Sequence, residues 1–152
     1  MKKIILFIAI VTISATGFAT PKKTKAFTNP GIEHETDTAL KIIFQLTTND
    51  TLAHKALMKQ IGNITSVEPS TKIEVVCHGP GLEMLQINKS VVSKKIKEFS
   101  DKGVVFNACE FSMSERKVLK ENILPSAGFV KAGIIAIVKK QNAGWSYIKA
   151  GF

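Results

Sequence analysis

Short apolar runs alternate along the chain with longer segments of helical periodicity, and this alternation points to one class of fold. Continuous apolar runs rich in β-branched or aromatic residues span residues 40–46, 73–77 and 104–108, as buried strands do. Shorter extended segments follow at residues 128–130 and 145–148. A helical segment is predicted between each pair of successive strands. The resulting order, β-α-β-α-β-α-β-α-β, predicts a three-layer α/β/α fold with a mostly parallel five-stranded sheet and right-handed crossovers.

Capping residues and apolar spacing locate three of the four predicted helices. The first begins after the N-cap candidate Asp50, and its apolar residues recur every three or four positions, as on one helical face: Ala53, Leu57, Ile61 and Ile64. The second runs from an N-cap at Ser90 to a left-handed C-terminal glycine, Gly103. Apolar residues at 134–138 indicate the last helix, which ends near Gly144.

The N-terminus has the pattern of a secretory signal peptide over residues 1–19. Two early lysines precede an apolar run at residues 4–13, and small residues lead to cleavage after Ala19. A membrane anchor is the alternative, but the run is shorter than the roughly 20 residues that span a bilayer. Residues 20–38 are polar and predict an arm, which leaves residues 39–152 as one domain. We expect an exported protein, in the periplasm of a bacterium, with no membrane span after cleavage.

The basic charge balance does not indicate a nucleic-acid binder. The net charge is +9, and removing the two lysines of the signal peptide leaves +7 on the rest of the chain. The lysines are scattered, and no basic stripe alternates with aromatic residues as in single-strand binders. The composition therefore predicts no nucleic-acid partner and only a weak preference for anionic partners.

Cys109 is the main candidate for chemistry because it ends a predicted strand. The third predicted helix, residues 113–122, follows it closely, and the positive end of a helix favours a thiolate. Arg116, on the first turns of that helix, would add to this stabilisation, whereas the carboxylate of Glu110 would oppose it. The alternative is that Cys109 is a small, half-buried apolar residue that fills the strand end.

The other candidate residues lie at the end of the second strand. Consecutive residues at a strand end point to opposite faces, so Cys77 and His78 are not expected to form a dyad. His78 is a candidate to approach Cys109 across the cleft between the loops. His34 and His54 are interpreted as ordinary surface or core histidines.

A disulfide between Cys77 and Cys109 stays open as an alternative. The chain has two cysteines, and an exported protein meets an oxidising compartment. Closing a loop of this length would stabilise the fold by about 3–4 kcal/mol in the chain-entropy model. Cys109 would then be structural or one half of a redox couple.

Familiar enzyme motifs are absent from the sequence. Residues 78–81 are too short for a phosphate cradle, and Pro80 removes one of the N–H donors that such a loop needs. The sequence contains no dinucleotide-binding, Walker, G-x-S-x-G or Cys-x-x-Cys motif. The acidic and histidine residues at 33–37 are interpreted as a solvated cluster in the arm. We therefore predict neither a metal nor a cofactor.

The strand–loop units of the chain resemble those of DsrE/DsrF-like proteins over residues 39–152. The resemblance is carried by three strand ends and by shorter segments downstream, at residues 41–47, 73–81, 103–110, 112–116, 128–133 and 144–149. It implies an α/β fold of flavodoxin-like appearance in homo- or hetero-oligomers, often built on trimers. It also implies sulfur carried as a persulfide on a single cysteine. By its place after Asn107 and Ala108, Cys109 corresponds to that cysteine, and Cys77 does not.

Two functions of different classes follow. The first is a sulfur carrier or sulfurtransferase in which Cys109 accepts a sulfane sulfur from a donor protein or small sulfur compound and passes it on. The second is a non-catalytic ligand-binding or assembly module with bridged or inert cysteines. Association is expected in either case, since an edge strand at residues 145–148, with Tyr147 or Phe152 exposed, would gain from burial against a neighbour.

Overall fold

The computed structural model describes residues 39–151 as a fully parallel five-stranded sheet with helices. The expected signal peptide, residues 1–19, and the polar arm, residues 20–38, lie outside the described residues, as does Phe152. The sheet has the order β4-β3-β2-β1-β5, with strands β1 Lys41–Leu46, β2 Lys72–Cys77, β3 Val105–Cys109, β4 Gly128–Val130 and β5 Ser146–Ala150. The α/β prediction is confirmed, and all neighbouring strands are parallel rather than most of them.

Four α-helices connect the strands, and three of them begin or end as the capping residues predict: Asp50 precedes the first, Gly103 (φ +92°) ends the second and Gly144 ends the fourth. The four helices are α1 Thr51–Val67, α2 Ser93–Asp101, α3 Glu110–Glu115 and α4 Gly133–Asn142. Asp50 caps α1, because its Oδ1 accepts a hydrogen bond from the Leu52 N–H at 2.8 Å. Gly144 follows the last turn of α4 with φ +80°, a conformation that favours glycine.

The prediction of a third helix over residues 113–122 is wrong in its bounds. The chain enters α3 at Glu110, directly after the last residue of β3, and leaves it at Glu115. Lys117 then takes a positive φ of 53°, and the Val118 N–H closes the turn by donating to the Met113 carbonyl at 2.9 Å. Local helix propensity is overridden here because Met113 must reach the core within one turn of the strand end.

The start of the second helix also differs from its prediction. Helix α2 begins at Ser93 with Val92 at the N-cap position, so Ser90 is not the cap. The Ser90 hydroxyl instead accepts a hydrogen bond from the Val92 N–H at 3.4 Å, in the turn before the helix. A 3₁₀ helix, Gly79–Leu85, was not predicted, and it forms the segment directly after β2.

The two faces of the sheet are covered unequally. Residues of α1, α2, α3 and the 3₁₀ segment pack with alternate strand residues into one large core, which defines the main-core face: Phe44, Leu46, Ile73, Val75, Cys77, Phe106 and Ala108 belong to it. The opposite face, which we call the α4 face, has a small core of Ile43, Val76 and Ile137. The α4 face is therefore covered by one helix, whereas the main-core face is covered by three helices and the 3₁₀ segment. No helix within residues 39–151 is both long and apolar enough to cross a membrane.

Candidate functional site

The Cys109 sulfur lies at the start of helix α4. Cys109 is the last residue of β3, and its Sγ accepts a hydrogen bond from the N–H of Gly133 at 3.2 Å. Gly133 is the first residue of α4, and no side chain caps that end of the helix. The unpaired N–H groups and the positive end of the helix dipole therefore point toward the sulfur.

The donor helix is not the one that the sequence indicated. Cys109 does occupy the N-cap position of α3, but its side chain makes no capping hydrogen bond to that helix. The interaction comes instead from Gly133, which is 24 residues further along the chain. The sequence did not single out Gly133 as a hydrogen-bond donor. The feature that could have indicated a donor is Gly133 itself, because it begins a helix whose first turn contains no acidic residue.

A glycine is required at position 133 because the chain passes close to β2. A Cβ atom built there would lie 3.2 Å from the Cβ of His78 and 3.2 Å from Cγ1 of Val76. Any larger residue would press against these side chains and lift the start of α4 away from the sheet. Gly133 thus allows the helix end to approach Cys109.

His78 lies on the same side of the sheet as Cys109 and next to the same glycine. Its Nε2 is 2.7 Å from Nε2 of Gln45, whose Oε1 in turn accepts a hydrogen bond from the Tyr147 hydroxyl. With the amide in this orientation, its nitrogen donates to Nε2 of His78, which then carries no proton. Partial burial lowers the pKa of His78, which agrees with a neutral ring. Within residues 39–151, His78 makes no hydrogen bond to Cys109, so the two are neighbours rather than a dyad.

Glu110 does not oppose a thiolate as its sequence position suggested. Its carboxylate pairs with Lys120 at 2.8 Å and with Lys131 at 3.8 Å. The hydrogen bond and charge of Lys120, followed by the charge of Lys131, lower the pKa of Glu110. Two cations against one carboxylate leave the surroundings of Cys109 on this side positive.

Arg116 does not lie on the first turns of α3, contrary to the prediction. It is the C-cap residue, at the opposite end of the helix from Cys109, and is exposed. Ser112, which the sequence did not single out, has a clearer role, because its hydroxyl accepts a hydrogen bond from the Gly79 N–H at 2.8 Å. This bond ties α3 to the segment that follows β2.

Cys77 has a different environment and does not pair with Cys109. Both cysteines are free in the structure. The register pairs Cys77 with Ala108, so the next residue, Cys109, points to the other face of the sheet. The disulfide alternative is therefore not formed. Burial of Cys77 in the main core raises the pKa of its thiol far above the ordinary value.

A cavity of about 460 Å³ adjoins the Cys109 site on the side of α4. Its lining includes Val130, which is the register partner of Cys109, and Ala132, which precedes Gly133. Phe111, Lys131 and Lys139 also line it, so the cavity has both apolar and cationic walls. Cys109 itself is only 4% exposed and is not part of this lining. The cavity is therefore lined by a strand neighbour of the buried sulfur rather than by the sulfur itself.

The remaining histidine of the described region has a structural environment. His54 is buried, and its Nε2 lies 2.9 Å from the Thr48 carbonyl oxygen. His34 lies outside the described residues. Between residues 39 and 151, no group of three or more histidine, cysteine, aspartate or glutamate side chains is placed to hold a metal ion.

Comparison with known proteins relates most of the chain to one family. The model described as the DsrE/DsrF-like family matches residues 22–150. A solved structure of a protein of unknown function from Methanobacterium thermoautotrophicum is similar, with a TM-score of 0.69 and 26% sequence identity. The match covers 72% of this chain and 98% of that chain. No curated protein matches the chain.

Proposed function

The chain belongs to the DsrE/DsrF-like family, and on that premise we propose that it is a sulfur-handling protein whose reactive group is the thiol of Cys109. The observation that carries the proposal is the hydrogen bond from the Gly133 N–H, at the uncapped start of α4, to Sγ of Cys109. A persulfide and a thiolate are both sulfur anions near neutral pH, and this donor stabilises either of them.

The proposed step is transfer of a sulfane sulfur between thiols. The Cys109 thiolate attacks the outer sulfur of a donor persulfide, R–S–SH. A new S–S bond forms between Sγ of Cys109 and the outer sulfur, the S–S bond of the donor breaks, and the donor leaves as the thiolate RS⁻. No net oxidation or reduction occurs. Passing the sulfur to an acceptor thiol repeats the same exchange in the opposite direction.

The cavity beside the site gives the proposed route for the donor. Cys109 is buried, so a donor must come within bonding distance through the residues around it. Phe111 is exposed, and the ammonium of Lys131 lies 5.5 Å from its ring centroid at the mouth of the cavity. A small sulfur anion or a donor persulfide is attracted by Lys131 and Lys139. Displacement of the Phe111 and Lys131 side chains then opens the way to Sγ.

The test is loading with inorganic polysulfide, followed by mass spectrometry without reductant. We expect the native protein to gain about 32 Da per sulfur on the peptide that holds Cys109. Cys109→Ser should abolish the gain, and Cys77→Ser, the matched control, should leave it intact. Loading that persists in Cys109→Ser, or that is absent from the native protein, would contradict the proposal.

An assembly module is the second candidate, and the open side of the sheet favours it. Beyond the small core of the α4 face, α4 and β5 expose large apolar side chains: Ile134, Ile135, Val138 and Tyr147. Strand β5 lies at the edge of the sheet and offers unpaired backbone groups to a neighbour. We propose that copies of the chain associate through this surface, as a trimer or a multiple of it. Sedimentation equilibrium tests this, and a monomer at micromolar concentration would refute it.

Export to a bacterial periplasm belongs to the same proposal. The basic start, apolar run and small residues of positions 1–19 support it. Cell fractionation with mass measurement should find the protein in the periplasm, beginning at Thr20. An intact N-terminus on protein from the cytoplasm would contradict export without affecting the chemistry proposed for Cys109.

A further inference from the structure

We propose that a second site, remote from Cys109, binds a small amphiphilic anion, meaning a single carboxylate or sulfonate with an apolar tail. The site is a cleft of about 650 Å³ between helix α1 and the start of helix α2. Both helices pack on the main-core face, whereas Cys109 points to the α4 face. The inference goes beyond the proposed sulfur chemistry and stands or falls independently of it.

The interior of the cleft is apolar. Met58, Val92 and Phe99 line it and continue into the main core. Gly62 adds no side chain, and the space that its Cβ would fill lies 3.6 Å from Cζ of Phe99. Val91 extends the apolar surface to the rim and is 51% exposed. Met58, Val92 and Phe99 are already buried, so an apolar tail in this cleft would pack on them and remove mainly Val91 from water.

The rim of the cleft carries positive charge that the protein does not balance. Four lysines line the cleft and no acidic residue does: Lys55, Lys59, Lys94 and Lys95. Lys95 pairs with Glu98, but the other three form no salt bridge among the described residues. By contrast, Lys97 and Lys102, which do not line the cleft, pair with Asp101 and Glu98. Three lysines without a salt bridge among the described residues therefore line this one cleft.

The start of α2 adds to the attraction for an anion at one end of the cleft. No side chain caps this helix, and its first turn contains no acidic residue. The first residues of the helix, Ser93 and Lys94, line the cleft. A carboxylate there meets unpaired N–H groups as well as ammonium groups, while its tail extends over Met58 and Phe99. This arrangement selects an anionic head on an apolar body and rejects a cation.

The experiment is isothermal titration of the native protein with octanoate, with octylammonium as the probe of opposite charge and equal tail. We expect octanoate to bind and octylammonium not to bind. The double variant Lys55→Gln, Lys59→Gln should weaken octanoate binding by about fivefold or more. Lys72→Gln, which removes an exposed lysine at the start of β2, is the matched control and should leave binding unchanged.

Amide chemical shifts locate the binding. We expect the largest changes at Gly62, Asn63 and Ser93 when octanoate is added. Equal binding of octanoate and octylammonium would overturn the requirement for an anion. Absence of octanoate binding at millimolar concentration, or shift changes confined to α4, would overturn the site. Loss of binding in Lys72→Gln equal to that in the double variant would also overturn it.

Discussion

Cys77 and Cys109 end neighbouring strands, but the two faces of the sheet give their thiols different surroundings. Cys77 points into the main core, where burial raises its pKa and keeps it protonated. Cys109 points to the α4 face, where a helix N–H donates to its sulfur and two lysines neutralise the nearby carboxylate. One thiol is packed in the core, and the other is the one to which we assign the proposed sulfur chemistry.

The two thiols have different surroundings because their side chains point to opposite faces of the sheet, not because they lie far apart in it. Cys77 is in register with Ala108, and side chains alternate between faces along a strand. A shift of one residue therefore moves a thiol from a face covered by several helices to a face covered by one. The second face brings a helix N-terminus, His78 and a cavity close to the thiol of Cys109.

The largest expected difference between the faces is in stability. Phe106→Ala should lower the free energy of unfolding by about 3–5 kcal/mol, because this side chain is 1% exposed in the main core. Tyr147→Ala should lower it by only about 1 kcal/mol, because Tyr147 is 40% exposed on the α4 face. Urea denaturation measures both values. Equal losses would show that the two faces contribute alike.

A smaller loss of stability is expected from Gly133→Ala, with a larger effect on Cys109. The added methyl would lie 3.2 Å from His78 and Val76, so the start of α4 must shift. We expect a loss of about 1–3 kcal/mol and slower alkylation of Cys109 by iodoacetamide. Gly62→Ala on α1, where the nearest atom would be 3.6 Å away, is the control. Unchanged alkylation in Gly133→Ala would argue against a role for the Gly133 N–H.

The buried, protonated thiol of Cys77 should change how the free energy of unfolding depends on pH in alkaline solution. Burial raises the pKa of Cys77 above its ordinary value of 9.0, so above that pH the unfolded chain loses a proton that the folded chain keeps. The stabilisation is complete below pH 9 and decreases above it, by about 1.4 kcal/mol per pH unit. The unfolding free energy of the native protein should therefore fall more steeply above pH 9 than that of Cys77→Ala. If the unfolding free energies of the two proteins fall equally above pH 9, the thiol of Cys77 is not buried away from water.

The smallest expected effect concerns Glu110. Glu110→Gln leaves Lys120 and Lys131 without their carboxylate partner beside Cys109. We expect alkylation of Cys109 to become faster, by about twofold at low salt, because exposed charges are screened. Glu115→Gln, on the far end of α3, serves as the control. An unchanged or slower rate would mean that the pair does not influence the sulfur.

Much of the fold could be predicted from the sequence because its signals are local. Apolar runs gave the five strands, and the Asp50 cap and the helical spacing gave α1 at its observed start. Helix α3 was misplaced because nothing in the residues around Glu110 indicates that the chain turns into a helix directly at the strand end. The residues after Glu115 are good helix formers, but Lys117 adopts a left-handed conformation instead.

The candidate site was predicted less completely than the fold. Cys109 stood out because it ends a strand, yet its accompanying residues were only partly identified. His78 does lie beside the Gly133 that contacts Cys109, whereas Arg116 is at the wrong end of α3. Gly133 was missed as a donor because the hydrogen bond joins residues 24 positions apart, and spacing in sequence does not reveal such a contact.

The sequence by itself determined the class of fold, the family and the position of both cysteines at strand ends, since these depend on periodicity and on short segments of chain. Tertiary structure alone decided which face each thiol occupies and which helix donates to the Cys109 sulfur. Those features depend on the register between β2 and β3 and on how closely α4 packs against the sheet. The physical reason is that side-chain environment is set by contacts between distant segments, whereas strand and helix formation begins with neighbours in the chain.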